Sequence, residues 1–229
     1  MDFYNQLLAQ KLSGGGGGDS NAAFKSLVDG SIIEVTADML QGVTSIRNYT
    51  FYSCQNLTSI EIPSSVTTIG EHAFGDCQNL TSIEISSGVT SIGAYAFNNC
   101  KKLTSIEIPN TVTIIRNGVF FACSDLANVT LSNNISTIPN DLFGSCTSLT
   151  TLTLPESITS IGQNAFQNYS GNWESLTVLS TVPPTANTYM FNCPVDKLTI
   201  YVPANSVDAY KSAATWSNYA SKIQAIPSG

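Results

Sequence analysis

Charge is scarce in this 229-residue chain. Only 11% of its residues are Asp, Glu, Lys or Arg, against about 25% in an average soluble protein, so neutral hydroxyl and amide side chains must make up the surface. Basic residues are the scarcest. Nine Lys and Arg stand against sixteen Asp and Glu, a net charge of -7, and phosphate-backbone affinity needs clustered cations, so no nucleic acid partner is expected. His72 is the single histidine and no Cys-x-x-Cys occurs, which leaves a zinc site without its closely spaced ligands; no cofactor is expected. The glycine run Gly14 to Gly18 is not followed by Gly-Lys-Ser/Thr, so it is a tether and not a phosphate loop. No stretch approaches the roughly 20 apolar residues of a membrane span. The start of the chain shows neither a basic n-region nor an apolar h-region, so no secretory leader is legible.

What the chain has instead is a period. Cys54, Cys77, Cys100, Cys123 and Cys146 recur every 23 residues, each preceded by three by Phe51, Phe74, Phe97, Phe120 and Phe143. A period of this length marks a solenoid, whose units bury their apolar side only against their neighbours, so chain length sets the number of coils. Function then resides in a surface. Successive coils lie about 4.8 Å apart if they pair through strands, near enough for disulfides. A ladder of like-pointing thiols with an odd number of rungs cannot pair completely, however, and the reading is buried, reduced cysteines packed as small hydrophobes. Cys193, the sixth, stands two residues after Phe191.

The type unit runs from Leu57 to Asn79, LTSIEIPSSVTTIGEHAFGDCQN. Leu57 is followed in register by Leu80, Leu103, Leu126 and Leu149; Ile60 by Ile83, Ile106, Val129 and Leu152; Ile62 by Ile85, Ile108, Leu131 and Leu154. These positions, with the series begun by Val66 and Ile69, form the expected interior. The alternating, β-branched start predicts a short strand with Ile60 and Ile62 inward and Ser59 and Glu61 outward. Pro63, Pro109 and Pro155 can end that strand, because proline offers no ladder donor. Ile69, Ala73 and Phe74 have helical spacing and predict one helical turn. Gly70 is matched by Gly93, Arg116, Pro139 and Gly162; proline there predicts a helix entry and not a left-handed glycine.

Both ends depart from the repeat. Residues 1–18 predict an N-terminal helix and tether, residues 19–42 an N-terminal cap with a short helix near Phe24 and a strand at Ser31 to Val35, residues 43–203 the solenoid, and residues 204–229 a cap helix started by Asn205 or Ser206. After Leu149 the leucine returns only at Leu176, which predicts a four-residue insertion around Tyr169 to Ser175.

The unit resembles the BspA-type leucine-rich repeat, which has a leucine strand, a proline, Val-Thr-x-Ile-Gly, Ala-Phe and a cysteine. The resemblance covers roughly residues 43 to 203 and extends to Tyr201-Val-Pro-Ala-Asn-Ser-Val-Asp-Ala-Tyr-Lys211, similar to the family's terminal segment. It implies an α/β solenoid: a right-handed superhelix with a parallel sheet on one face and short helical turns on the other. It also implies a bacterial, often cell-surface protein that adheres to proteins or other cells.

The expected binding face is the outward side of the strands. Glu61, Glu84 and Glu107 form an acidic ladder, continued by Thr130 and Thr153 and flanked by Ser59, Ser82, Ser105, Asn128 and Thr151. Like charges about 5 Å apart in water repel by somewhat under 1 kcal/mol, which a basic partner or cation would relieve; a merely solvated face is the plainer alternative. Trp173 is either an exposed anchor or a side chain folded over a neighbouring coil. His72 and Cys77 could be drawn as base and nucleophile, but the cysteine belongs to the structural ladder, so no enzyme is expected. The expectation is recognition of a protein or glycan at a cell surface. The rival is a structural part of a phage-derived tail or other assembly docked by residues 1–12, in the particle or the cytoplasm.

Overall fold

The computed structural model describes residues 34–228. The helix expected over residues 1–12, the tether and the short helix near Phe24 lie outside the described residues. From Glu34 onward the chain winds into stacked coils joined by parallel strands. The main sheet contains Ser59–Ile62 and Ser82–Ile85, paired so that Ile60 faces Ile83 and Glu61 faces Glu84. Its outward residues alternate with buried ones, as period two requires. A second, narrower sheet was not foreseen: Ser45–Ile46, Thr68–Ile69, Ser91–Ile92 and Ile114–Ile115 pair in parallel, coil upon coil.

Where one helical turn was expected, the chain makes a series of tight turns with two left-handed residues per coil. Tyr49 and Ser53, His72 and Asp76, Tyr95 and Asn99, Asp141 and Ser145 all have φ between 49° and 62°. Such residues cost about 1 kcal/mol or more each. The geometry aims alternate peptide N–H groups at the next coil. Those of Tyr49, Phe51 and Ser53 donate to the carbonyls of Glu71, Ala73 and Gly75 at 2.9, 2.7 and 2.7 Å, while those of Tyr52 and Cys54 close local turns. The same three bonds recur from coil to coil as far as Asp141, Phe143 and Ser145, and at about 1 kcal/mol each they offset the strain. Gly70 is not left-handed, but it is no helix entry either: it follows the second strand, and a Cβ there would lie 2.5 Å from the backbone nitrogen of Asn48.

Both sheets are interrupted, and each interruption precedes a proline. The main sheet breaks between Ser82–Ile85 and Ser105–Glu107, and between Asn128–Thr130 and Thr151–Leu154; the second breaks between Ile114–Ile115 and Thr137–Ile138. Pro155 and Pro139 immediately follow the strand on the far side of their gaps, and Pro109 follows its strand after Ile108. Leu179, at the position of Pro155, donates its N–H to the Leu154 carbonyl of the previous coil at 3.1 Å, a bond proline cannot make. Ile83 and Val129, expected in the interior, are therefore only half-buried at the two openings of the main sheet.

The interior is a set of ladders. Phe51, Phe74, Phe97, Phe120 and Phe143 stack with centroids 5.0 to 5.7 Å apart and planes 6° to 8° from parallel. None of the six cysteines is joined in a disulfide. Each does more than fill space: the thiols of Cys77, Cys100, Cys123 and Cys146 donate to the carbonyls of Phe51, Phe74, Phe97 and Phe120 one coil earlier, at 3.0 to 3.2 Å. The expected four-residue insertion is a single extra residue, since Leu152 pairs with Leu176, and Trp173 then falls where the leucine of the repeat belongs.

The C-terminal segment is a 3-10 turn at Ala204–Ser206, an α-helix at Val207–Ser212, a 3-10 helix at Trp216–Lys222 and a strand, Ile223–Ala225, that extends the main sheet beside Thr199–Val202. Neither Asn205 nor Ser206 caps the helix with its side chain. Ser206 instead donates its hydroxyl to the carbonyl of Thr181, as Tyr210 does to Ser180 and Trp216 Nε1 to Pro184, at 2.9, 2.8 and 2.7 Å.

Candidate functional site

The main sheet places the expected polar residues on one side. Ser59 is half-buried, and Glu61, Ser82, Glu84, Ser105, Glu107, Asn128, Thr130, Thr151 and Thr153 are exposed. They form three groups, because the sheet is split twice: Ser59 and Glu61 face Ser82 and Glu84, Ser105 and Glu107 face Asn128 and Thr130, and Thr151 and Thr153 face Ser175 and Thr177. Glu61 is already engaged, its Oε2 accepting the N–H of Ala37 at 3.2 Å. That bond serves the start of the 3-10 helix Ala37–Leu40.

The first opening makes a cleft of about 560 Å³ with Glu84 and Glu107 on its two rims and Ile83, Ile106 and Pro109 along its wall. The Ser86 hydroxyl beside it is buried without a hydrogen-bond partner. The second opening is smaller, about 240 Å³, between Val129 and Leu152. Chemically the first is a mixed slot, in which isoleucine and proline alternate with serine and glutamate, and the second a neutral, hydroxyl-rimmed one.

Trp173 is not on this face or any other. It is 1% exposed, donates Nε1–H to the Phe166 carbonyl at 2.8 Å, and meets Phe166 and Phe191 edge to face. A buried indole needs such a partner, so Trp173 is withdrawn as a binding anchor.

His72 and Cys77 do not form a dyad. Burial pushes the Cys77 thiol far up, and its proton goes to the Phe51 carbonyl. The imidazole is sandwiched between Tyr49 and Tyr95, with centroids 5.1 and 5.2 Å away, and its Nδ1 pairs with Asn98 Oδ1 at 2.9 Å. The sandwich ends at Gly118, where a Cβ would come within 2.2 Å of the Tyr95 ring.

A further groove, of about 450 Å³, runs over the second sheet. Thr68, Ser91, Ile114 and Arg116 line it together with Glu71. Aligning the copies could have located it, since Ile114 is the one apolar residue at a position otherwise held by Ser or Thr.

The signature described as BspA type leucine rich repeat region matches residues 44–172 in six copies. Among solved structures, the T. pallidum leucine rich repeat protein TpLRR is 26% identical, with a TM-score of 0.61, covering 84% of this chain and 85% of its own. A leucine-rich repeat protein from Bacteroides ovatus shares the fold at 24% identity and a TM-score of 0.56, over 75% of this chain. This chain spans only 55% of that protein's length. No curated protein matches the sequence.

Proposed function

The chain belongs to the BspA-type leucine-rich-repeat family, and on that premise we propose that it is a non-catalytic recognition protein displayed at a bacterial surface, which holds a protein or glycan on the outward face of its main sheet. Repeats of this family serve in protein recognition and are typically non-enzymatic. The observation that carries the reading is the split strand face. Its Ser, Thr, Asn and Glu side chains stand in fixed register, and the cleft between Glu84 and Glu107 sets Ile83, Ile106 and Pro109 into that polar row. A contact region with an apolar centre and a polar rim is the usual anatomy of a protein interface.

The test is binding of the protein to panels of immobilised matrix proteins and glycans, compared with the double charge reversal Glu84→Lys and Glu107→Lys. Both side chains are exposed, so the fold should survive. Binding to the retained partner should fall about tenfold or more, as expected when charges at an interface centre are reversed. Unchanged binding would remove the strand face from consideration. Recovery of the native protein on the outer surface of fractionated cells supports display, and retention in the cytosol counts against it.

A further inference from the structure

The two halves of the strand face differ in charge and in how their side chains are engaged. Glu61, Glu84 and Glu107 point outward from the first coils. Beyond Glu107 the strands Asn128–Thr130, Thr151–Leu154, Ser175–Val178 and Thr199–Val202 turn outward only Asn, Ser, Thr and, at Tyr201, one aromatic ring. Past the second opening the register is continuous: Thr151, Ser175 and Thr199 form one column, and Thr153, Thr177 and Tyr201 form another. Elsewhere such hydroxyls bond to the fold itself, as Thr67, Thr90 and Thr159 donate to the carbonyls of Thr44, Thr67 and Ser136 one coil earlier, at 3.2, 3.1 and 3.1 Å. Among the described residues, the hydroxyls of the two columns find no partner. The cleft of about 240 Å³ at the head of the columns has no charged residue in its lining, which sets Val129 and Leu152 among hydroxyl and amide groups.

We propose that this half of the strand face, from the second opening to Tyr201, holds a neutral, extended β-linked glycan running along the solenoid axis with one sugar to a coil. The assignment rests on the strand-face reading and names its ligand. Threonine and serine hydroxyls both donate and accept, as sugar hydroxyls do, so the columns can meet each sugar in either sense. In the cleft the C–H face of a sugar ring covers Val129 and Leu152 while its hydroxyls reach Thr130 and Thr151. The chain then follows the two columns, and its last sugar meets the Tyr201 ring.

Period and charge select this class of ligand. Successive strands lie about 4.8 Å apart, close to the advance per sugar of an extended β-linked hexose chain, so each sugar meets an equivalent set of side chains. A coiled, α-linked chain loses that register. The four strands accommodate about four sugars. An anionic polysaccharide finds no cation in the cleft and approaches a chain of net charge -7, which repels it. A protein interface centres on large, well-packed anchors, and this half of the face offers only Tyr201, at its edge.

The test is calorimetric titration of the full chain with cellotetraose and β-linked mannotetraose, with their disaccharides, and with maltotetraose as the α-linked control. At least one β-linked tetrasaccharide should bind, about tenfold or more tighter than its disaccharide and more tightly than maltotetraose. Thr153→Val and Thr177→Val keep a β-branched side chain on the strand and remove only the hydroxyl, so both should melt close to the parent while each weakens the tetrasaccharide about three- to tenfold. The Glu84→Lys, Glu107→Lys protein should bind it as the parent does, because a neutral ligand does not use those carboxylates. The proposal is overturned if neither β-linked tetrasaccharide binds, if maltotetraose or the disaccharide binds as tightly, if both hydroxyl variants bind as the parent does, or if the double charge reversal weakens binding as much as they do. A protein partner that is lost on the double charge reversal, when no tetrasaccharide binds, would leave the strand face in place and overturn the glycan alone.

Discussion

At the scale of the residue, the cysteines join packing to hydrogen bonding. A thiol fits the ladder as a small apolar group, and its proton reaches a carbonyl of the preceding coil that also accepts a turn amide, as Phe97 accepts from Cys100 N–H and from the Cys123 thiol. Burial pushes the Cys123 thiol up to about 12. Below the unfolded thiol's value, about 8.5, both states hold the proton and stability does not depend on this group. Above it only the unfolded chain gives the proton up, so stability falls by about 1.4 kcal/mol per pH unit for each such thiol, until the folded state also ionises. Cys123→Ala should therefore cost about 1 to 2 kcal/mol at neutral pH and flatten the alkaline decline by about 1.4 kcal/mol per unit between roughly pH 9 and 12. Urea melts across that range measure both, and an unaltered slope would mean that the thiol is not kept protonated by the fold. That the cysteines are buried could be read from their spacing with Phe. That they donate between coils could not, because the acceptor is a backbone atom placed by the turn.

Among the elements, the openings alternate between the two sheets, so wherever one sheet parts beside a proline the other still pairs the same two coils. The proline after the strand was readable as a stop, but its effect on the neighbouring coil was not. A missing N–H at Pro155 leaves the carbonyl side of the coil before it unpaired, and the sheet opens there. The consequence is uneven packing along one ladder. Val129→Ala should cost about 1 kcal/mol, since that side chain is half-buried at the opening, whereas Leu152→Ala, on the same ladder but 4% exposed, should cost about 2 to 5 kcal/mol. Chemical denaturation compares them directly, and equal losses would show that the opening closes in solution. The helical spacing of Ile69, Ala73 and Phe74 misled for a related reason: two left-handed residues four apart bring the same side chains to one face as a helix would, and they free amides for the next coil.

For the whole molecule, stability runs along one dimension and the ends matter most. The unbroken turn ladder carries continuity past all three sheet openings, so the array should behave as one body with a weaker C-terminal end, where the cap is tied to residues 180–186 by side-chain hydrogen bonds. Trp216→Ala should lower stability by about 3 to 5 kcal/mol. Amide exchange should then speed first in residues 175–202 while the coils around Phe74 and Phe97 stay protected. Uniform acceleration would mean that the cap and the far coils unfold as one unit. By itself the sequence determined the stack, its 23-residue pitch, the inward ladders and the polar strand face, because each depends on a pattern of side chains that a neighbouring copy must match. Tertiary structure alone decided where the sheets part and that Trp173 replaces a leucine in the core. Those outcomes depend on which backbone donors are missing and on how separate coils meet, and no single unit contains either fact.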